Sequence, residues 1–258
     1  MEQQVPEPEV MPGAEPFFHE GSRVGALVLH GFTGTPLTMR SVADAFVAAG
    51  FTVSSPRLPG HGTTVEDMAT TSWEDWTAHA EASYLDLADK CEQVVVAGLS
   101  MGSSLTCWLA ARHPEIAGIV VINSAVKPFD ADSRSFVEAM IEAGDEFAPG
   151  VGSDLADPDV KELAYETTPL RSLISLMQGI EELQEDLPRI TCPALVMQST
   201  QDHVVDPTTA DLLASALGGP VERIALERSY HVATMDYDKD LITERAVEFA
   251  RKVTSGWP

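Results

Sequence analysis

The sequence predicts an α/β fold in which a mostly parallel sheet is covered by helices on both faces. Short apolar runs rich in β-branched residues alternate along the chain with segments whose apolar residues recur at helical spacing. This alternation is typical of repeated strand–helix–strand units. The 258 residues with 44% hydrophobic content and a mean hydropathy of −0.01 fit one such core that carries an insertion.

The individual elements follow from these runs in chain order. Strands are predicted over residues 26–29, 51–54, 93–97, 118–122, 194–198 and 221–225. Helices are predicted over residues 39–46, 73–87, 103–112, 210–217 and 242–253, most of them from apolar side chains at the helical spacing. Thr35-Pro36 and Asp206-Pro207 are typical helix starts, because proline fits the first turn of a helix. We interpret all of these apolar side chains as core.

Two segments fall outside this core. Residues 1–16 are rich in proline and glutamate and are predicted to form an extended or loosely attached lead-in. Residues 127–190 are acidic and interrupted by Pro149-Gly150 and Pro158, so we expect an insertion that serves as a cap or lid. Apolar residues between Phe136 and Ile141 predict one short amphipathic helix within it. The core is then formed by residues 17–126 and 191–258.

The charge of the chain excludes one class of partner. Forty acidic and 16 basic residues give a formal charge of −24, which repels nucleic-acid phosphates and anionic lipid headgroups. The acid excess is interpreted either as adaptation to high salt or as a solvated surface that keeps the protein soluble. Nucleic acid is therefore excluded as a partner.

Cysteine usage and the N-terminal sequence bear on the compartment. Cys91, Cys107 and Cys192 are odd in number and widely spaced, which fits reduced thiols better than a disulfide framework or a zinc site. The N-terminal residues have neither the basic nor the apolar region of a signal peptide, and the apolar runs are far shorter than a membrane span. We expect a cytoplasmic protein.

The sharpest local signal is Gly98-Leu99-Ser100-Met101-Gly102, directly after one predicted strand and directly before a predicted helix. A Gly-x-Ser-x-Gly pattern alone is weak. In this context it gains weight, because a tight strand-to-helix turn needs small residues on both sides of a nucleophile held in strained backbone geometry. Ser100 is therefore the predicted nucleophile.

A serine hydroxyl needs a general base and a third group that orients this base. His231 lies in a polar loop between the last predicted strand and the terminal helix, and it is the predicted base. Asp202 follows the strand 194–198 by a short loop and is the predicted orienting acid. Asp206 competes for this role, but an Asp-Pro pair that opens a helix is explained as a cap. The order Ser100, Asp202, His231 is that of the α/β-hydrolase fold.

The other candidate groups near this triad are interpreted as structural. Asp236 and Asp238 are expected to be polar loop or cap residues. The loop of residues 57–62 is expected to be a rigid wall near the site, without a catalytic role. The remaining histidines are interpreted as loop-shaping or peripheral: His19, His30, His61, His79, His113 and His203.

Acyl transfer also needs N–H donors aimed at the oxyanion, each worth roughly 2.7–4 kcal/mol. Residues 30–34, His-Gly-Phe-Thr-Gly, end the first predicted strand. On the pattern of the fold, we expect the backbone N–H groups of Phe32 and Met101 to form the oxyanion hole. The helix after Ser100 adds its positive N-terminal end.

Over nearly its whole length the chain resembles bacterial monoacylglycerol lipases and the small carboxylesterases of the α/β-hydrolase superfamily. The match lies in residues 13–17, 30–36, 56–58, 60–63, 98–102, 152–155, 157–166, 202–205 and 229–234. The stretch from Gly152 to Glu166 favours the monoacylglycerol lipases over esterases in general. Two regions depart from the pattern: Ser103 stands where many relatives have a third glycine, and residues 129–149 match poorly.

The resemblance implies an α/β-hydrolase fold with a sheet of about eight strands, the same triad and the same oxyanion donors. It also implies that Glu162 in the cap hydrogen-bonds the glycerol hydroxyls and that Val151 lines an acyl tunnel. From the residues alone, Glu162 would be interpreted as a solvated helix-face residue.

The predicted function is a serine ester hydrolase that cleaves monoacylglycerols to glycerol and fatty acid. We expect no cofactor and no metal, a small lipid ester as substrate, transient contact of the cap with neutral lipid interfaces, and a monomer or weak dimer. A general short-to-medium-chain carboxylesterase is the alternative. A non-catalytic ligand-binding protein of the same fold is a remote one, since such proteins usually lack a triad member.

Overall fold

The computed structural model describes residues 8–150 and 153–254. The strands of this part of the chain are β1 (Phe17–His19), β2 (Val24–Leu29), β3 (Thr52–Ser55), β4 (Gln93–Leu99), β5 (Gly118–Ile122), β6 (Phe147–Pro149), β7 (Thr167–Pro169), β8 (Ala194–Ser199) and β9 (Val221–Leu226). The helices are α1 (Arg40–Ala48), α2 (Val65–Met68), α3 (Trp73–Ala88), α4 (Met101–Arg112), α5 (Ala131–Glu142), α6 (Leu170–Leu183), α7 (Thr209–Ala216) and α8 (Lys239–Val253). Short 3₁₀ helices span Pro36–Met39 and Leu187–Arg189.

The main sheet has the strand order β1-β3-β2-β4-β5-β8-β9. All neighbours are parallel except β1, which pairs antiparallel with β3 at one edge. The six predicted strands are confirmed with small shifts of their ends, whereas β1 was not predicted. Within the described residues the sheet has seven strands, where the resemblance implied about eight.

The sheet separates two layers of apolar core. In β2, Leu27 and Leu29 face one cluster, while Ala26 and Val28 face the other, as expected for side chains that alternate along a strand. The first cluster is closed by residues of α3, α4, α6 and α7, and the second by residues of α1 and α8. Because both faces of the sheet are covered, all six residues of β2 are buried. The sequence of this strand is accordingly a continuous apolar run.

The segment between β5 and β8 contains two helices: the one predicted from residues 136–141 is confirmed, and a second was not predicted. The predicted one is α5, whose only buried residue is Val137. The second is α6, which buries Leu176 and Ile180 in the core beneath the sheet. It packs closely on α3, because a Cβ at Gly179 would lie 2.3 Å from the Trp73 ring.

A short ribbon, β6 paired antiparallel with β7, closes the base of the loop between these helices. Gly150 N–H donates a further hydrogen bond to Glu166 O at 2.8 Å, so the two ends of the loop lie next to each other. This loop carries Glu162.

The described part of the lead-in, residues 8–16, is attached to the body without forming a helix or strand. Met11 N–H donates to Gly62 O at 2.8 Å, and Ala14 is fully buried. Residues 1–7 lie outside the described residues. In the described ranges, none of the helices has the length and apolar character needed to cross a membrane.

Candidate active site

Ser100 occupies a sharp turn between β4 and α4. Its backbone torsions are φ 56° and ψ −119°, a region that residues other than glycine rarely adopt. The flanking glycines permit the turn: a Cβ at Gly98 would lie 2.2 Å from Gly102 O, and a Cβ at Gly102 would lie 2.2 Å from Leu29 O. The hydroxyl is thus presented at the carboxyl end of a central strand, where α4 begins.

Ser103, the departure from the family pattern noted above, supports this turn from behind. Its Oγ donates to Gly98 O at 2.6 Å and accepts from Ile122 N–H at 3.0 Å. The hydroxyl therefore joins β4 to β5 directly beneath the turn. It is fully buried, and both of its hydrogen-bonding capacities are used.

Asp202 and His231 meet at the same edge of the sheet, in the loops that follow β8 and β9. His231 Nδ1 donates to Asp202 Oδ2 at 2.9 Å, and the Asp202 side chain is fully buried. Asp202 Oδ1 also accepts the backbone N–H groups of Val204 and Val205, both at 2.9 Å. With Nδ1 used in this way, Nε2 is the ring nitrogen left to accept a proton.

Ser100 and His231 line one cavity of about 110 Å³, together with Glu162 from the cap. Burial raises the pKa of Glu162 to about 7, against the opposing charge of His231. The Glu162 backbone N–H donates to Ser153 Oγ at 3.3 Å. The predicted nucleophile, base and glycerol-binding carboxylate are therefore brought together, while Val151 lies outside the described residues.

The two predicted oxyanion donors belong to segments next to Ser100. Met101 is the first residue of α4, so its N–H is among those that a helix cannot pair internally. Phe32 lines the cavity, and its neighbour Gly31 approaches the nucleophile so closely that a Cβ there would lie 3.3 Å from Ser100 Cβ. The Phe32 ring packs edge-on against Trp76, with centroids 5.6 Å apart.

His30 and His61 shape the loops around Phe32. His30 Nδ1 donates to Gly31 O at 2.9 Å while its Nε2 accepts from Leu58 N–H at 3.1 Å. Burial holds the pKa of His30 well below its usual range and lowers that of His61 to about 4. Both rings are therefore neutral at pH 7.

A family model described as serine aminopeptidase, S33, matches residues 23–238. The chain belongs to this family. The matched range contains all three members of the predicted triad and both predicted oxyanion donors.

Relatives of this S33-family chain include lipases and esterases. A thermostable monoacylglycerol lipase from Bacillus sp. (strain H-257) is 47% identical over 255 residues, which cover 98% of this chain and 99% of that protein. A carboxylesterase from Bacillus subtilis (strain 168) is 27% identical over 247 residues, which cover 93% of this chain and 97% of that protein. The resemblance that the motifs indicated is confirmed.

Among solved structures, one reported for LipS and LipT, two metagenome-derived lipolytic enzymes, has a TM-score of 0.91 to this S33-family chain. It is 45% identical, and the match covers 95% of this chain and 100% of that one. The predicted α/β-hydrolase fold is confirmed.

The S33-family site also depends on polar residues whose roles sequence reasoning missed. Asn123 follows β5 with a positive φ of 43°. Its Nδ2 donates to His231 O at 2.7 Å, and its Oδ1 accepts from Ser199 N–H at 2.7 Å. Asn123 thus ties the end of β8 to the loop of the predicted base. The available signal was an asparagine directly after an apolar strand.

Two further acids hold the His231 loop of this S33-family chain, and both were interpreted as polar loop or cap residues. Asp236 Oδ2 accepts Tyr230 N–H at 3.0 Å, and Asp238 Oδ2 accepts Ser229 N–H at 2.9 Å. Asp206, by contrast, pairs with Lys127 and accepts Thr208 N–H before α7, away from His231. Among the described residues, no group of three His, Cys, Asp or Glu side chains could hold a metal ion.

Proposed function

We propose that this protein is a serine ester hydrolase that cleaves monoacylglycerols to glycerol and a fatty acid. The observation that carries the proposal is the geometry of one cavity: the strained Ser100 and the Asp202-bonded His231 line it together with Glu162. The 47% identical monoacylglycerol lipase supports the choice of substrate.

In the acylation step, His231 Nε2 takes the proton of Ser100 Oγ while this oxygen forms a bond to the ester carbonyl carbon. The carbonyl oxygen gains the negative charge, which the backbone N–H groups of Phe32 and Met101 stabilise. When the ester C–O bond breaks, His231 returns the proton to the leaving glycerol oxygen. Asp202 keeps the ring oriented and stabilises its charged form.

Water then releases the acyl group. His231 takes a proton from the water as its oxygen attacks the acyl-enzyme carbonyl, and the proton passes to Ser100 Oγ as the C–Oγ bond breaks. Fatty acid leaves and the resting enzyme is restored. Each proton moves through the same imidazole nitrogen.

Glu162 is the proposed partner of the glycerol hydroxyls. A carboxyl group with a pKa of about 7 is partly protonated at neutral pH, and its protonated form can donate to one hydroxyl and accept from another. Val151 is the proposed residue of the acyl tunnel. The hydroxyl-rich head and the apolar tail of a monoacylglycerol would then have separate contacts.

We also propose that the cap contacts neutral lipid interfaces. Phe136 of α5 is 67% exposed and Phe129 before it is 43% exposed, while the net charge of −24 disfavours anionic headgroups. A cytoplasmic location is proposed as well, because the described cysteines are unpaired. A monomer or weak dimer is the proposed oligomeric state.

The test is kcat/KM for 1-lauroylglycerol, dilauroylglycerol, trilauroylglycerol and p-nitrophenyl laurate, with Ser100→Ala as the blank. Efficient turnover of the monoester with strong discrimination against the di- and triesters is expected. Ser100→Ala should fold normally and lose activity by several orders of magnitude. A folded Ser100→Ala that retained turnover would contradict the mechanism.

A general carboxylesterase is the second candidate, favoured by the 27% identical Bacillus subtilis relative. Preference for the p-nitrophenyl ester with poor glyceride turnover would select it. Glu162→Ala separates the two further: a glycerol role requires a larger loss with 1-lauroylglycerol than with p-nitrophenyl laurate, and equal losses would remove that role.

A further inference from the structure

One carboxylate of the cap, that of Asp154, contacts both loops that carry the predicted acid and base. Asp154 lies in the 152–155 stretch that matches the family, and nothing above gives it a role. Its side chain is 14% exposed, although its neighbour Ser153 is exposed. A carboxylate buried to this extent needs hydrogen-bond partners.

Asp154 finds those partners on both loops at once. Its Oδ2 accepts the backbone N–H of His231 at 3.0 Å and the backbone N–H of His203 at 3.1 Å. One oxygen atom therefore bridges the base itself and the residue directly after the acid Asp202. The Asp154 backbone O accepts a further N–H, from Val232 at 3.1 Å.

The other carboxylate oxygen is fixed as well. Oδ1 of Asp154 pairs with His203 Nδ1 at 2.8 Å, and the His203 ring stands edge-on to Tyr230 with centroids 4.5 Å apart. The ring itself is in solvent, with 60% of the side chain exposed. This contact restrains Asp154 but does not itself reach the triad.

The segment that holds Asp154 is anchored independently of it. Ala156 and Asp157 donate their backbone N–H groups to Asp236 at 2.8 and 3.1 Å, and Asp236 is 2% exposed. Asp236 also accepts Tyr230 N–H. The cap segment and the His231 loop are therefore joined by two carboxylates, Asp154 from the cap and Asp236 from the other side. Asp154 is therefore held in place firmly enough to position what it binds.

From these contacts we propose that Asp154 is a positioning residue for the acid–base pair. Its carboxylate sets the separation of the Asp202 loop from the His231 loop and so aims the His231 ring at Ser100. The inference rests on the proposed function, because it assigns these two loops the acid and the base. It makes the cap part of the catalytic framework as well as a cover.

The size of the expected effect follows from how steeply proton transfer depends on distance. A misplacement of about 1 Å can cost about 100-fold in rate. Asp154 is not among the described residues that line the Ser100 cavity, whereas Glu162 is, so loss of Asp154 should lower kcat and leave KM nearly unchanged. If Asp154 had a purely structural role, its loss would lower the stability of the protein without lowering kcat selectively relative to KM.

The experiment compares Asp154→Ala, Asp154→Glu and Asp154→Asn with the wild-type protein on 1-lauroylglycerol and p-nitrophenyl laurate. We expect kcat to fall at least tenfold in Asp154→Ala and about fivefold in Asp154→Glu, which keeps the charge but moves the oxygens. KM should stay within twofold for both substrates. Asp154→Asn keeps an oxygen that can accept both N–H groups, and kcat within about threefold of wild type is expected.

Two controls separate the bridge from its surroundings. His203→Ala removes the ring contact but keeps both backbone N–H groups, and Asp159→Asn changes the charge at an exposed position of the same segment; both should keep kcat within threefold. Active-site titration with a fluorophosphonate counts competent Ser100 in every variant, and circular dichroism reports folding.

The outcomes are distinct. Folded Asp154→Ala or Asp154→Glu with kcat within twofold of wild type would overturn the proposal, as would an Asp154→Asn that loses as much as Asp154→Ala. If Asp154→Ala does not fold, Asp154→Glu decides the question on the same criterion. A wild-type protein that hydrolyses neither ester and does not react with the fluorophosphonate would instead contradict the proposed function.

Discussion

Burial favours the neutral form of the Glu162 carboxyl group up to about pH 7, and this gives the stability of the protein a particular pH dependence. Its pKa is raised from an ordinary 4.5 to about 7. Between these values the folded protein binds the proton and the unfolded chain has lost it, so the stabilising contribution fades as the pH rises and is gone above pH 7.

Replacing Glu162 with Gln should therefore raise the free energy of unfolding relative to wild type at pH 8, by at most about 3 kcal/mol, and leave it unchanged near pH 4. Urea unfolding from pH 4 to 8 measures the difference. Glu166→Gln, at an exposed position of the same loop, is the matched control and should show no such trend. If the difference in the free energy of unfolding between Glu162→Gln and wild type stayed constant from pH 4 to 8, burial would not raise the pKa of Glu162.

Ser103 offers a second prediction for a single residue. Ser103→Ala leaves Gly98 O and Ile122 N–H without their buried hydroxyl partner, which should lower the free energy of unfolding by about 1–3 kcal/mol. Ser215→Ala, which removes an exposed hydroxyl from α7, should change it by less than about 0.5 kcal/mol. Equal effects of the two substitutions would show that the Ser103 hydroxyl does not tie β4 to β5.

Sequence reasoning brought Ser100, Asp202 and His231 together because each lies in the turn or short loop that follows a recognisable strand, and parallel strands carry their following loops to one edge. The roles of Asn123 and Asp154 were not predicted from the sequence, and the reason is physical. Their partners lie far away along the chain, with His231 108 and 77 residues distant. The place of Asn123 directly after an apolar strand marks it as a candidate but does not reveal its partner.

At the level of elements, strands buried on both faces were predicted because their apolar runs are unbroken. The edge strand β1 was missed because it has only three residues, of which Phe18 and His19 are exposed. Three residues are too few to show the alternation of apolar and polar side chains that marks a strand. Helix α6 was missed although Leu170, Leu173, Ile174 and Met177 repeat at helical spacing. The acidic, proline-punctuated residues before it led us to treat the whole segment as insertion.

The loop between β8 and α7 gives a prediction about acyl-chain length. Val204 lines the Ser100 cavity and also a second cavity of about 310 Å³ that reaches Phe129. The Ser100 cavity of about 110 Å³ is smaller than the roughly 300–1,000 Å³ of a typical ligand pocket, so a long acyl chain needs further space, which the second cavity offers.

We expect the acyl chain to pass Val204 into the second cavity, and Val204→Trp should block that route. We expect kcat/KM for 1-palmitoylglycerol to fall at least tenfold more than that for 1-butyrylglycerol, because only the long chain needs the second cavity. Val204→Ala, which removes side-chain volume between the two cavities, should retain turnover of both substrates. A uniform loss across chain lengths in Val204→Trp would place the acyl chain elsewhere.

For the whole molecule, the excess of acidic residues predicts a response to salt. A net charge of −24 opposes compaction by self-repulsion, and raising the salt from 0.05 to 1 M shortens the screening length to about 3 Å. The midpoint of thermal unfolding should therefore rise by several degrees, and the effect should shrink as the pH approaches the pI of about 4.4. Calorimetry in NaCl measures it, and a midpoint that is flat or falls with salt would contradict the role of self-repulsion.

The placement of the nucleophile between two sheet neighbours has a consequence for how the molecule comes apart on heating. Ser100 N–H donates to Ile122 O at 3.0 Å, and β4 is hydrogen-bonded on one side to β2 and on the other to β5. Amide exchange at this position therefore requires the middle of the sheet to separate, whereas α5, with a single buried residue, can exchange by local opening. Helix α5 is therefore expected to open on warming before the strands that hold Ser100 separate, so hydrogen exchange should report two steps, first at α5 and later at Ser100.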